Sequence, residues 1–376
     1  MSTIKDLDAA LSPVIDEAMH DLRVPGALVH VRIGAAPALD RAYGLRELGK
    51  TDLMTLKDHV RIGSNTKTMT GTVVLKLVDQ GTLDLDAPVS TYRPNVPNGN
   101  DITIRDLLDM QSGLENYSAR RDLNVSLDGH PSRAWDPEEL LRLGIELPPH
   151  ARPRKGFSYS NTNTVLLGLI AKAKANKPLS EMFREWIFEP LGLTETSMPP
   201  VGSATLPEPH PHGYMYLSNL ETLGSPAIPP DLRVHADDGT LVPGDRTNDN
   251  PSWTWAAGGA VSTLGDLVTY VEALVKGGLI SEDLQQQRLA SLASTNPHCD
   301  DAASYGWALA KFGAYIGHDG TLPGFQSFMG HDPATDSTIV VATNLTYAPD
   351  GRETANAIVM AIMGALSQEP PAAAGE

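Results

Sequence analysis

Apolar residues recur at helical spacing from the first turn of the chain: Leu7, Leu11, Val14, Ile15 and Ala18 predict an amphipathic helix that Ser12-Pro13 either kinks or restarts. After Val24-Pro25-Gly26 the period shortens to two. Val29, Val31 and Ile33 fall on one side of 27–33, and 41–45 reads as a second strand, so an antiparallel hairpin is expected. The helical period returns at Met69, Val73, Val74 and Leu77 and closes at Gln80-Gly81, which predicts a helix opening at Ser64 with one buried face. Thr103 with Asp106 resembles a capping box, and Asp136-Pro137-Glu138-Glu139 is a helix start on three counts: cap, first-position proline and first-turn carboxylates. Further helices are expected over 164–175 and 180–188, from Thr263 to Val275, and after Ser281. Between Met198 and Pro251 prolines and glycines crowd the chain, and no element is predicted. Short apolar or alternating runs at 304–314, 315–320, 324–330 and 337–344 read as strands, with 332–336 a hairpin turn. Ile358, Val359, Ile362, Met363 and Leu366 give a final amphipathic helix.

Strands near both termini with helices between them predict an α/β (α+β) fold: one antiparallel sheet built from both chain ends, flanked by helices, with an inserted helical lobe. The expected division is a single domain over 1–368, its sheet lobe 1–60 and 270–368, its helical lobe 61–269, and a disordered tail at 369–376. A chain of 376 residues that is 41% hydrophobic has ample core for this. The formal net charge of −17, with no basic run, opposes binding to nucleic acid or to an anionic membrane. Cys299 is the single cysteine, so no intrachain disulfide can form. The first residues lack the basic and apolar regions of a signal peptide and no long apolar run follows, so a cytoplasmic protein is expected unless a leader was removed.

Ser64 and Lys67 carry the first candidate chemistry. One turn of helix separates them, which holds a hydroxyl and an amine together at a positively polarised helix end. That suits a nucleophile whose proton leaves towards an amine, although a helix cap followed by a solvated lysine has the same spacing, and Ser2-Thr3-Ile4-Lys5 repeats the pattern. Tyr159 and Asn161 precede the helix from Thr164. A phenol with an ordinary pKa of about 10 becomes a proton shuttle if a lysine ammonium favours its anion. His318-Asp319-Gly320-Thr321 ends a late strand, where Gly320 and Gly324 permit a ligand to approach the backbone.

Ser-x-x-Lys, Tyr-x-Asn and His-x-Gly in this order resemble the penicillin-recognising serine hydrolases, in particular the class C β-lactamase, DD-peptidase and esterase group. The segments 79–89, 107–114, 157–169 and 257–267 look like family segments too, so the resemblance covers roughly 4–366. It implies a β-lactamase/DD-peptidase-like fold and a metal-free, cofactor-free mechanism. Ser64 would attack a carbonyl, Lys67 and Tyr159 would take its proton, and Tyr159 would protonate the leaving group. The amides of Ser64 and Thr321 would form the oxyanion hole, and Asn161 would hold the substrate's amide carbonyl. His318 stands where β-lactamases usually carry lysine. Lys276-Gly277-Gly278 and Lys311-Phe312-Gly313 also match Lys-x-Gly but lack the Gly-flanked strand and hairpin of 320–344.

Asp319 departs from the hydroxyl usual in relatives that bind a substrate carboxylate. Facing the cleft it would repel a carboxylate and favour esters, amides or D-amino-acid peptides with a neutral or amine end; the alternative is that it turns away to pair with Arg152 or Lys311. His210-Pro211-His212 reads as a polar loop rather than half a metal site. Trp253, Trp255, Tyr305 and Trp307 read as core before pocket. The expected partner is thus a small-molecule or short-peptide substrate, cleaved through an acyl-enzyme. Two alternatives share the fold: a catalytically silent penicillin-binding or sensor module, and an acyltransferase in which a second substrate replaces water.

Overall fold

The computed structural model describes residues 4–295 and 303–368; the expected tail, Cys299 and Ser2 lie outside the described residues. Helix α1 (Ile4–Leu22) runs unbroken through Pro13. The interruption is tolerated because Pro13 and Ala9, whose carbonyl it leaves without an intrahelical donor, are both exposed to water. Leu7, Leu11, Ile15, Met19 and Leu22 form the buried side.

Eight strands make one antiparallel sheet: β1 (Gly26–Arg32), β2 (Leu39–Gly44), β3 (Ala293–Ser294), β4 (Ala303–Gly306), β5 (Leu309–Phe312), β6 (Tyr315–Leu322), β7 (Phe325–Asp332) and β8 (Ser337–Thr343). Their order is β2-β1-β8-β7-β6-β5-β4-β3, so the two ends of the chain meet at the β1–β8 pair, where Val29 lies opposite Val341. The run 304–314 is a hairpin, not one strand. Trp307 and Ala308 take positive φ angles of 37° and 56°, which turns the chain between β4 and β5.

Side chains alternate faces. Ala27, Val29, Val31, Ile339 and Val341 pack against α1 and the C-terminal helix, named α5 below, while Leu28, Val340 and Ala342 face the larger core of the helical lobe. Both faces are covered, which is why β1 and β8 read as almost continuous apolar runs.

Helix α2 (Thr66–Asp79) and helix α3 (Asn161–Ala175) form the middle of the helical lobe, and α4 (Leu264–Lys276) lies on the sheet. The one-sided pattern expected for α2 was too narrow. Lys67, Thr68, Thr70 and Thr72 are as buried as Met69 and Val73, because polar atoms on that side find backbone partners: Thr70 donates to the Ala256 carbonyl at 2.7 Å, and Thr72 to that of Thr68 at 2.8 Å. The capping box at Thr103 and Asp106 and the Asp136 cap form as expected. Residues 198–251 carry short helices at Asn219–Thr222 and Pro230–Asp237 within a long loop.

The final helix, α5 (Thr354–Gln368), starts four residues before its apolar period begins. Its cap comes from another element: the Gln326 carboxamide oxygen on β7 accepts from the amides of Ala355 and Asn356 at 2.5 and 3.1 Å. Among the described residues no helix is long and apolar enough to cross a membrane.

Candidate active site

Gly63–Asn65 forms a single tight turn before α2, with Gly63 at φ +52°. This turn meets β6 backbone to backbone. A Cβ on Gly320 would stand 2.0 Å from the Ile62 carbonyl oxygen and 2.9 Å from the Ser64 nitrogen; one on Gly63 would stand 2.8 Å from the Thr321 nitrogen. The two glycines therefore bring the amides of Ser64 and Thr321 to the same place. Asn65 clamps the turn, donating to the Ile62 carbonyl at 3.0 Å and to Ser327 at 2.8 Å. Gly320→Ala must push β6 off the turn. Its melting temperature is expected to fall by several degrees, measured in a thermal melt beside wild type.

Lys67 lies under Ser64. Its Nζ is 2.8 Å from Ser64 Oγ and 2.8 Å from the Ala257 carbonyl oxygen, and 4.8 Å from the centre of the Tyr159 ring. The side chain is fully buried. Burial pushes its ammonium down to about 7, against a smaller upward pull from the Asp319 carboxylate. Tyr159 shares a hydrogen bond with Ser64. Its phenol is raised well above its ordinary value, by burial first and then by neighbouring Tyr305, despite that bond. Both shifts run against the expected phenolate beside a lysine ammonium: burial raises the phenol, and the group near neutrality is the amine.

A cleft of about 380 Å³ opens over Ser64, and Tyr159, Asn161, Asp319, Gly320 and Thr321 line it. Asn161 is the first residue of α3. It donates its amide to Ser118 Oγ at 2.9 Å, and its backbone nitrogen donates to Asn116 Oδ1 at 3.1 Å. His318 stands behind the wall, 2% exposed, with its Nδ1 2.6 Å from the Asp319 carbonyl oxygen and its ring edge-on to Tyr305. Asp319 does not turn away to Arg152 or Lys311. Its carboxylate accepts from Asn356 Nδ2 at 2.9 Å and lies 3.4 Å from His318 Nδ1. Burial alone would raise its pKa, but the bonds from His318 and Asn356 outweigh that and hold the carboxyl below its usual range.

Glu353 also lines the cleft, accepting from Thr321 Oγ1 at 3.1 Å and from Asn356 Nδ2 at 2.7 Å. Burial, and then the Asp319 carboxylate, raise its pKa. Sequence reading missed Glu353 and Asn356, because the residues ahead of the apolar period at Ile358 look like an ordinary polar helix entry. Of the four aromatics at issue, Trp253 lines the cleft, whereas Trp255, Tyr305 and Trp307 are buried.

A hydroxyl between a buried amine and a phenol, beside two converging amides at the junction of an antiparallel sheet and a helical lobe, defines the class of penicillin-recognising serine hydrolases. The chain belongs to the Beta-lactamase family, whose profile matches residues 11–362. Among curated proteins it is similar to Protein flp of Staphylococcus aureus, 26% identical over 353 residues. That match takes in 92% of this chain and 65% of the relative, so the chain spans slightly under two thirds of its length. Among solved structures it is similar to a D-stereospecific amidohydrolase from Streptomyces sp., with a TM-score of 0.78 and 26% identity over 94% of this chain and 97% of that one. The D-amino acid amidase of Ochrobactrum anthropi SV3, complexed with L-phenylalanine amide, gives a TM-score of 0.79 and 25% identity over 96% and 99%.

Proposed function

We propose that this chain is a serine hydrolase that cleaves small amides or esters through an acyl-enzyme on Ser64. The observation that carries the reading is the 2.8 Å contact between Ser64 Oγ and the Lys67 amine, in a setting that brings the amine to about 7. A neutral Lys67 takes the proton as Ser64 Oγ bonds to the carbonyl carbon. The carbonyl oxygen gains its negative charge beside the amides of Ser64 and Thr321. When the bond to the leaving nitrogen or oxygen breaks, the Tyr159 hydroxyl gives that atom a proton and regains one from the Lys67 ammonium. Water then enters by the same route reversed, and the acid is released. Asn161, with one amide hydrogen on Ser118, has its second to offer a substrate carbonyl.

The two structural neighbours named above support D-amino acid amides as a candidate substrate class. A panel of p-nitrophenyl esters, D-amino acid amides and nitrocefin tests the reading. Steady turnover of an ester or amide is expected, with nitrocefin weak at most. A burst of one equivalent followed by silence marks a sensor, and a new product on adding an amine or alcohol marks an acyltransferase.

Asp319 sets the charge preference. Like charges within a few ångströms in a half-buried cleft cost on the order of 1–3 kcal/mol, so carboxylate-ended substrates should trail matched neutral ones by roughly tenfold to a hundredfold in kcat/KM. Asp319→Thr is expected to narrow that gap mainly by improving the carboxylates, most visibly at low salt. It should also move the acidic limb of the pH profile lower, since Asp319 pulls the Lys67 pKa up. An unchanged carboxylate-to-neutral ratio at low salt would reduce Asp319 to a structural residue.

A further inference from the structure

Asp319 and Glu353 come from different elements, the end of β6 and the residue before α5, yet both line the cleft that holds Ser64. One nitrogen ties them together: Asn356 Nδ2 donates to Asp319 Oδ2 at 2.9 Å and to Glu353 Oε2 at 2.7 Å. The two carboxylates are therefore at most two hydrogen bonds apart. Some carboxylates drawn out of water meet an arginine, as Asp58 meets Arg46 and Glu272 meets Arg32. This pair meets none. Asp319 has the His318 imidazole at 3.4 Å and the buried Lys67 amine within its field, and among the described residues no lysine or arginine forms an ion pair with Glu353. Two carboxylates with no arginine or lysine ion pair, beside the Ser64 hydroxyl, make this end of the cleft an acidic recess.

We propose that a primary ammonium of the substrate docks between Asp319 and Glu353, which makes Glu353 a specificity-determining residue and amino-acid amides and esters with a free amine the substrate class. The proposal rests on the reading of Ser64 as the nucleophile. A primary ammonium brings a full positive charge and three N–H donors to the two carboxylates; acylating the amine removes the charge and two of the donors. Thr321, the one hydroxyl on β6 facing this recess, already donates to Glu353 and is not free to greet a carboxylate.

The test compares alanine p-nitroanilide, in both enantiomers, with N-acetylalanine and propionyl p-nitroanilides on wild type and Glu353→Gln. The glutamine keeps an oxygen for Thr321 and for Asn356, and labelling of Ser64 by a fluorophosphonate reports that the variant is folded. Wild type is expected to prefer the free amine by about a hundredfold, and Glu353→Gln to lose tenfold or more of that preference, chiefly in KM. An undiminished preference in a variant that still labels would overturn the proposal, as would loss of turnover on EDTA treatment without any dependence on the amine, which marks a divalent cation in the recess. The two readings fail separately: turnover surviving in Ser64→Ala removes the nucleophile, whereas the amine preference tests the recess alone.

Discussion

Ser64→Ala is expected to abolish turnover of every ester and amide in the panel, by about four orders of magnitude or more, and to end labelling by a fluorophosphonate. The substitution deletes the one atom that forms the covalent bond, while Lys67, Tyr159 and the two amides remain, so nothing else in the cleft can take over its chemistry. Stability should barely move. Ser64 is half-buried in a turn held by Asn65 and Ser327, and its hydroxyl is not part of that clamp. The variant removes one hydrogen bond from Lys67, whose amine keeps its bond to the Ala257 carbonyl. A melt within a few degrees of wild type, with labelling gone, is the expected pair of results. Labelling that persists and maps to another serine would overturn the assignment.

How far the sequence could carry this depended on the range of the interactions involved. Ser64 and Lys67 are bound by helix geometry alone, and the capping box at Thr103 and the Asp136 cap are local chemistry, so all were readable in the residues themselves. The meeting of β1 with β8 was readable too, since both ends of the chain carried strand periodicity and one sheet has to accommodate them. The turn inside 304–314 was not, because Trp307 and Ala308 adopt positive φ without glycine or asparagine to signal it. Nor was the start of α5, whose cap is Gln326 on a strand 29 residues earlier. The upward shift of the Tyr159 phenol follows from its withdrawal from water in the cleft wall and from Tyr305 beside it, neither of which has a local signature. Glu353 is the sharpest case. Only the fold carries it across the cleft mouth to Asp319, through an asparagine one turn further along the helix.

Lys67→Met should separate activity from stability. Methionine fills nearly the same volume but cannot take a proton, so kcat/KM is expected to fall by roughly a hundredfold to ten-thousandfold. In wild type, activity requires the neutral amine; it should rise with pH through about 7, and that limb should vanish in the variant. Stability rises with pH as well, over the window above. The folded pKa of Lys67 is about 7, against an ordinary value of 10.5, so between those two pH values the unfolded chain holds a proton that the folded chain has released. Stability from this group therefore rises with pH across that window, and the cost of burying the ammonium is present in full below about 7. Lys67→Met has no such cost. Its Tm relative to wild type should be highest near pH 6 and decline towards pH 9, offset at all pH values by the lost hydrogen bond to the Ala257 carbonyl. Differential scanning fluorimetry of both proteins across that range makes the comparison. A Tm difference independent of pH would mean that Lys67 keeps an ordinary pKa in the folded protein, and the amine could then no longer serve as the base that starts the reaction.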